Sequence, residues 1–380
     1  MKTDIAIIGG GLAGMAIACG LETAGIDYRL IEQRQLPVSD GMGIVLHPSG
    51  LHALHLLGVD YQQLNEYIPL SHMVFGTPKH NSIAEQPVGY EGYPVVSTLR
   101  STLHRLLYRN VDIKRCLPQQ QLVTVEQFGS FTRLTLSTGE TVEARSVLFT
   151  DGIHGFEPEA AKIEQTTQGV WRWLIDTNFD QERAYEIHNG KYRLGIFPVT
   201  SSRAYVFLSS QPCAFNHESR YSNKDLRQIL ERFGQAGETV SRSTTEHTKV
   251  RFDRITENKV CWLSDSGFLR IGDAAHAVSP NLGMGASLAF EDAAELVKLI
   301  KSKPEPRIDS DLTRAYISAR HKRVLKIKSY SRMFGKIAHL PGERLNHVKL
   351  AAIKYSSRIP KIGNGGAIYK PYFKHTEKTD

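Results

Sequence analysis

A chain of 380 residues with 41% hydrophobic and 23% charged side chains carries enough apolar material for one large domain or two, which excludes a disordered or fibrous protein. The net charge of +8 is compatible with an anionic ligand, a nucleic acid or a membrane surface, but no nucleic-acid-binding motif accompanies it, so a solvated basic surface is expected and no nucleic-acid partner. Four scattered cysteines, Cys19, Cys116, Cys213 and Cys261, form no pair at metal-ligand spacing and fit a reduced, cytoplasmic protein with neither a disulfide framework nor a metal site.

The longest uncharged run, Ile5 to Leu21, opens the chain. It is interrupted by glycines and falls short of the roughly 20 apolar residues of a membrane span, so no transmembrane or targeting segment is expected. Asp4 to Ile8 reads instead as a buried strand, Gly9-Gly-Gly11-Leu12-Ala13-Gly14 as a turn, Met15 to Ala24 as a helix, and Tyr28 to Ile31 as a second strand ending at Glu32. This is a βαβ unit whose glycines permit a tight turn and close approach of backbone to a pyrophosphate. Glu32 lies 18 residues beyond Gly14, close to the roughly 20 expected for a carboxylate that binds ribose hydroxyls. Such a carboxylate disfavours a 2′-phosphate, which leaves FAD or NAD for this site. Gln33 and Arg34 follow this carboxylate as further cofactor-binding candidates.

Gly41-Met-Gly43-Ile44-Val-Leu46-His47-Pro48-Ser-Gly50 is a glycine-rich loop entering a helix that runs to Gly58. His47 is a candidate acid or base because its ordinary pKa lies near neutrality. Leu99-Arg100-Ser-Thr-Leu103 starts another helix, with Ser101 or Thr102 available as cap. Leu122 to Val147 alternates as a hairpin or meander around Ser137-Thr-Gly-Glu140, and Val147 to Phe149 is a buried strand ending in Asp151-Gly152.

From Gly169 to Gln211 the pattern becomes antiparallel: Val170 to Ile175, Tyr192 to Val199 and Arg203 to Ser209. Alternation places Arg203, Tyr205, Phe207 and Ser209 on one face, opposite Ala204, Val206 and Leu208. That aromatic and polar face is suited to cover a flat ring, and Arg172 and Tyr205 are the preferred substrate-side residues. Later, Leu269 to Ile271 is a short strand, Gly272-Asp273 breaks it, and Pro280, Gly283 and Gly285 form a loop before the helical run Ala286-Ser287 to Leu299. The N–H groups at that helix start and its dipole favour negative charge. Leu312 to Arg323 continues helically. The tail to Lys361 is basic, interrupted by Pro341, Pro360 and Gly363-Asn-Gly-Gly366, and is expected to form solvated helix faces.

Taken together, Gly9-x-Gly11-x-x-Gly14, Gly43-Ile44 with Pro48, Arg100, Asp151-Gly152, Gly272-Asp273-Ala-Ala-His276 with Pro280, Gly283-x-Gly285 and Glu291-Asp292-Ala293, and Tyr316-x-x-x-Arg320-x-x-Arg323 resemble the FAD-dependent aromatic hydroxylases, the group A flavoprotein monooxygenases. The resemblance runs from Asp4 to Arg323. It implies an α/β fold, α+β overall: a Rossmann-type FAD-binding domain with an inserted, mainly antiparallel substrate sheet and C-terminal helices. The expected division is 1–70, 96–168 and 260–330 for FAD, 71–95 and 169–259 for substrate, and 331–380 as a helical, basic tail.

The resemblance also implies that Asp273 meets the ribityl chain, that Pro280, Gly283, Gly285, Ala286 and Ser287 lie along the flavin ring, and that Gly43, Ile44, Arg100 and Asp151 approach the cofactor. The implied chemistry is reduction of FAD by NADH or NADPH as transient donor, addition of O2, and delivery of one oxygen atom from a flavin hydroperoxide to an aromatic or other electron-rich small molecule, by hydroxylation or epoxidation. No residue is assigned as a catalytic acid or base, and a monomer or homodimer is expected. Relatives usually continue Asp-Gly with Ser and then Arg, where this chain has Gly155 and Glu157. That departure leaves two alternatives open: an oxidoreductase without oxygen insertion, and a flavin-binding protein reduced by a partner. Trp171-Arg-Trp173-Leu-Ile175 only partly matches the motif of flavin-dependent halogenases, since Asp176 stands where they have Pro, so halogenation is not expected.

Overall fold

The structure, a computed structural model, describes residues 1–39, 41–157, 162–177, 179–180, 182–211, 222–340, 342, 348, 350–351, 355 and 366–376. Cys213, Pro341, Pro360 and residues 363–365 lie outside the described residues.

The apolar run Lys2–Ile8 forms the centre of a seven-stranded sheet because it is buried on both faces, with Ile5 and Ile7 packing one way and Ala6 and Ile8 the other. It pairs in parallel with Tyr28–Glu32 on one side and Thr141–Phe149 on the other. Cys116–Pro118 extends the parallel part beyond Tyr28–Glu32, and Leu269–Arg270 adds in parallel to Thr141–Phe149. Phe131–Leu136 and Leu122–Phe128 complete the sheet as an antiparallel meander. The helices Leu12–Thr23 and Gly285–Lys301 pack on each other across one face, and their Ala- and Gly-rich surfaces allow close approach. At that contact a Cβ on Gly20 would meet Val297 and Leu57 side chains at 2.5–3.1 Å.

A second seven-stranded sheet has the order Arg251–Asn258, Ile163–Asp176, Arg203–Ser210, Tyr192–Pro198, Arg183–Asn189, His72–Thr77 and His80–Pro87. All pairs are antiparallel except Arg183–Asn189 with His72–Thr77. Alternation sorts its faces: Ala204, Val206 and Leu208 are buried under the helices Asn223–Leu230 and Gly234–Ser243, while Tyr205, Phe207 and Ser209 turn to the opposite side. The strand Ile163–Asp176 starts seven residues before the Val170 expected for it. A three-stranded sheet, Gly43–Leu46, Val95–Leu99 and Ile68–Leu70, packs against Tyr192–Pro198 and Arg203–Ser210 of this second sheet.

Three local expectations differ from the structure. The helix Arg100–Arg109 has Leu99 at its N-cap and no side-chain cap, so neither Ser101 nor Thr102 caps it. The helix Ser310–Ala338 runs through the expected boundary at residue 330, and Gly366–Thr376 is docked rather than solvated: Tyr369, Tyr372 and Phe373 are buried in the main core beside the Pro48–Leu56 helix. The basic composition of the tail hid these three aromatics. No helix among the described residues is long and apolar enough to cross a membrane.

Candidate functional site

A single continuous cleft of about 1540 Å³ runs between the sheets, from the first βαβ unit to the exposed edge of the Ser310–Ala338 helix. That exceeds the roughly 300–1,000 Å³ of an ordinary ligand pocket, so there is room for a cofactor and a second molecule.

The first end is built by the glycine loop. Gly9 has φ +104°, and a Cβ there would lie 2.6 Å from the Cα of Asp151, so only glycine fits. Gly11, Leu12 and Ala13 line the cleft, and nothing stands within 4 Å of a Cβ added to Gly11. Gly14 does not line it: a Cβ there would meet the Gly9 carbonyl at 2.0 Å, so its role is close helix–strand packing. Thr150 Oγ1 donates to the carbonyls of Ile8 and Gly9, and His104 Nε2 donates to the Gly10 carbonyl at 2.7 Å while its Nδ1 accepts from Val38. His104 lies four residues after Arg100 on one helix face, a helical spacing from which it was legible in principle.

Glu32 is buried at the strand end and accepts from Gly10 N–H at 2.7 Å and from Arg34 N–H at 2.9 Å. Its carboxylate, Gln33 and Arg34 form the floor beside Gln120 and Gln121. Asp151 faces the same end. Its Oδ2 accepts from Phe156 N–H at 2.6 Å, and the Gly155 Cα is so close that a Cβ would fall 2.1–2.3 Å from the carboxyl group. Gly155 therefore fits this site sterically where a larger residue would not. Glu157 turns its carboxylate to the N–H and hydroxyl of Ser266, and the buried Arg270 donates to the carbonyls of Phe156 and Glu157.

Burial pushes the Asp151 carboxyl up to about 6, opposed by the Phe156 N–H and Arg270 and reinforced by Glu32. Its folded pKa is thus above its unfolded value, so the cost of ionising it is absent below about pH 4 and fully present above about pH 6. In the flavin-free protein Asp151→Asn is expected to raise stability at pH 7, with no change at pH 4. The shift sets a ceiling of about 3 kcal/mol, reduced to about 1–2 kcal/mol by solvent in the open cleft. Thermal melts at the two pH values check this, and an equal loss at both would contradict it.

At the middle of the cleft, Gly43 and Ile44 face Asp273, Pro280, Gly283, Gly285 and Ala286, with Arg100 at the edge. Gly43 is held against Tyr205, where a Cβ would lie 2.3 Å from the tyrosine Cβ. Neither helix start facing this space, at Gly11 or at Met284, has a side-chain cap, so their first N–H groups are available to an anionic ligand. This open, uncapped cradle fits a dinucleotide. Ser287 is a correction: it is fully buried away from the cleft, and its Oγ accepts from His47 N–H at 3.1 Å. His47 lines the cleft, but its Nδ1 lies 2.6 Å from the hydroxyl of Tyr369 on the C-terminal helix, and burial pushes its pKa down to about 4. The neutral imidazole ties this loop to the C-terminal helix through Nδ1, and the backbone N–H of the same residue ties it to Ser287.

The far part is roofed by the second sheet. Arg172 is ion-paired with Asp253, and burial pushes the Tyr205 hydroxyl up to about 12, so it is a neutral phenol. The sequence reading missed Arg193, which lies between the rings of Phe207 and Phe334, 5.0 and 5.4 Å from their centroids. Its Nε is 3.3 Å from Glu186, and its Nη1 donates to Asn281, which also accepts from Gln168 at 3.0 Å. Gly195 makes room for Phe207, since a Cβ there would fall 2.1 Å from the ring. Alternation along Tyr192–Pro198 carries Arg193 and Phe197 to the cleft face, the signal from which Arg193 was legible.

A family model described as FAD binding domain matches residues 2–330. The 2-heptyl-3-hydroxy-4(1H)-quinolone synthase of Pseudomonas aeruginosa is 26% identical over 78% of this chain and 80% of its own length. The 3-amino-4-hydroxybenzoate 2-monooxygenase of Streptomyces cremeus is 26% identical, covering 89% of this chain and 88% of the relative. Among solved structures, Klebsiella pneumoniae HpxO complexed with FAD and uric acid superposes with a TM-score of 0.82 at 18% identity, covering 96% of both chains. The cradle and these likenesses coincide, and the chain belongs to the FAD-binding-domain family, within the FAD-dependent aromatic hydroxylase-type monooxygenases.

Proposed function

We propose that this monooxygenase hydroxylates an electron-rich ring held between the Pro280–Gly283 loop and the Tyr205 face of the second sheet. The observation that carries this reading is one cleft in which an uncapped dinucleotide cradle opens directly onto an aromatic roof. FAD, when bound, would supply the redox chemistry, with NADH or NADPH as electron donor and O2 as oxidant.

The chain's own residues do the rest. Glu32 and Arg34 hold the adenosine end, the Gly11 helix start takes the diphosphate, and Asp273 accepts hydrogen bonds from ribityl hydroxyls. The N–H groups from Gly285 onward favour negative charge in front of that helix. Tyr205, Phe197 and Phe207 exclude water from the reacting edge, and Arg172 and Arg193 orient the ring's polar group. The proposed units are 1–70, 96–168 and 260–330 around the cofactor and 71–95 and 169–259 around the substrate. Support comes from the sheet membership of their strands, except that Ile163–Asp176 of the second sheet crosses the boundary between 168 and 169.

Stopped-flow mixing of the oxidised flavoprotein with NADH and NADPH under nitrogen tests the reading. Bleaching of the flavin bands is expected to speed up at least tenfold in the presence of a bound ring compound. Bleaching only by an added reductase protein would support the partner-reduced alternative instead.

A further inference from the structure

Arg172 and Arg193, in the substrate part of the cleft, each already face a carboxylate. Arg172 is paired with Asp253, which it shares with Arg251 on the outer rim at 3.1 Å. Arg193 faces Glu186 at 3.3 Å, and His188 Nε2 lies 2.8 Å from the same carboxylate. Glu186 is held below the usual carboxylate range by Arg193 and His188, against the opposing effect of burial, so it stays ionised and the pair stays neutral. A substrate carboxylate entering here would have to compete with two built-in carboxylates, and one of them is almost fully buried.

What remains is a long apolar lane. Met73 and Phe75 line it from the second sheet, Met333, Phe334 and Ile337 from the Ser310–Ala338 helix, and Ile368 from the C-terminal helix. Met333 and Ile337 are 54% and 42% exposed although they line the cleft. Apolar side chains left uncovered along a ligand cleft are what an apolar ligand segment would cover.

We propose that the substrate is an uncharged ring carrying a long apolar substituent, with the ring's polar group at the Arg193–Asn281–Gln168 cluster and the substituent along the Met333–Ile337 lane. The proposal rests on the monooxygenase reading above. It distinguishes this site from one built for small ring acids. Hydrogen bonds with a neutral hydroxyl, or to a neutral carbonyl, suit a cluster whose net charge is already cancelled, and each methylene laid in the lane leaves water.

The test uses the FAD-loaded protein and follows ligand binding by perturbation of the flavin absorbance. The probes are 4-alkylphenols from methyl to heptyl, with 4-hydroxybenzoate as the charged comparison. Kd is expected to fall by up to about fourfold per added methylene until the lane is filled. 4-Hydroxybenzoate is expected to bind at least tenfold more weakly than 4-ethylphenol. Ile337→Asp, at a half-exposed position, should erase the chain-length gain, weakening 4-heptylphenol at least tenfold more than 4-methylphenol. A Kd independent of chain length, or tighter binding of 4-hydroxybenzoate, would overturn the proposal. Failure of the underlying reading looks different: a protein without flavin bands, or one whose bands no nicotinamide donor bleaches with any probe.

Discussion

Replacing Gly11 with alanine is expected to give a folded but colourless protein, whereas Gly14→Ala is expected to lose both flavin and stability. The two glycines belong to one motif but meet different surroundings. A Cβ on Gly11 points into open cleft, where only the cofactor's diphosphate would collide with it. A Cβ on Gly14 would sit 2.0 Å from the Gly9 carbonyl oxygen and 2.6 Å from Thr150 Oγ1, inside the helix–strand contact itself. Overpacking of that kind costs about 1–3 kcal/mol. Transmitted to the diphosphate loop, the same cost corresponds to roughly 10- to 100-fold weaker FAD binding. Fluorescence titration with FAD and urea unfolding of the flavin-free proteins separate the two cases. Equal unfolding midpoints for both variants would contradict this division of labour.

The second large effect is expected from Arg320→Met. Glu291 and Asp292, side by side two turns into the long flavin-side helix, are completely buried. Arg320 reaches Asp292 at 2.7 Å and Glu291 at 2.9 Å, Arg323 reaches Glu291 at 2.8 Å, and His276 reaches Asp292 at 2.5 Å. Asp292 also accepts from Gly272 N–H, so the network fixes the backbone from which Asp273 projects. Arg323 further donates to the Ile368 carbonyl, which ties in the C-terminal helix. Removing Arg320 leaves buried carboxylates undercompensated and is expected to cost about 3–5 kcal/mol.

The pH dependence has a definite sign. Both carboxyls are held below their ordinary values by Arg323, Arg320 and His276, against the effect of burial. Their stabilisation is therefore present above the unfolded carboxylate pKa of about 4 and is lost as pH falls through the lower folded values. In the variant the carboxyls titrate higher, so they protonate earlier and the gap to the parent protein narrows between pH 7 and pH 5. A loss that is constant with pH would point to packing alone.

The sequence made the cofactor half readable because it is local: three glycines, a strand before, a helix after and Glu32 at the end are consecutive in the chain. The Asp273 loop was readable for the same reason. Ser287 was misplaced because a loop motif does not say which residue of the following helix turns inward, and here the first turn rotates Ser287 towards Gly50 and His47. The substrate side was harder. Alternation identified the face carrying Tyr205, but Arg193 gains its importance from Glu186 on the neighbouring strand and from Phe334 and Asn281, which come from two distant segments. Tyr369 was beyond reach for a related reason: its contact with His47 spans 322 residues, and the surrounding basic tail reads as solvent-exposed.

The most direct test of the account is a turnover of the FAD-loaded protein under 18O2, with NADH or NADPH as donor and a bound 4-alkylphenol, read by mass spectrometry of the product. The account predicts a product heavier by one 18O atom, with one nicotinamide oxidised per product formed. Product without 18O, or nicotinamide oxidation that yields only hydrogen peroxide across the whole alkylphenol series and the ring acids, would contradict it.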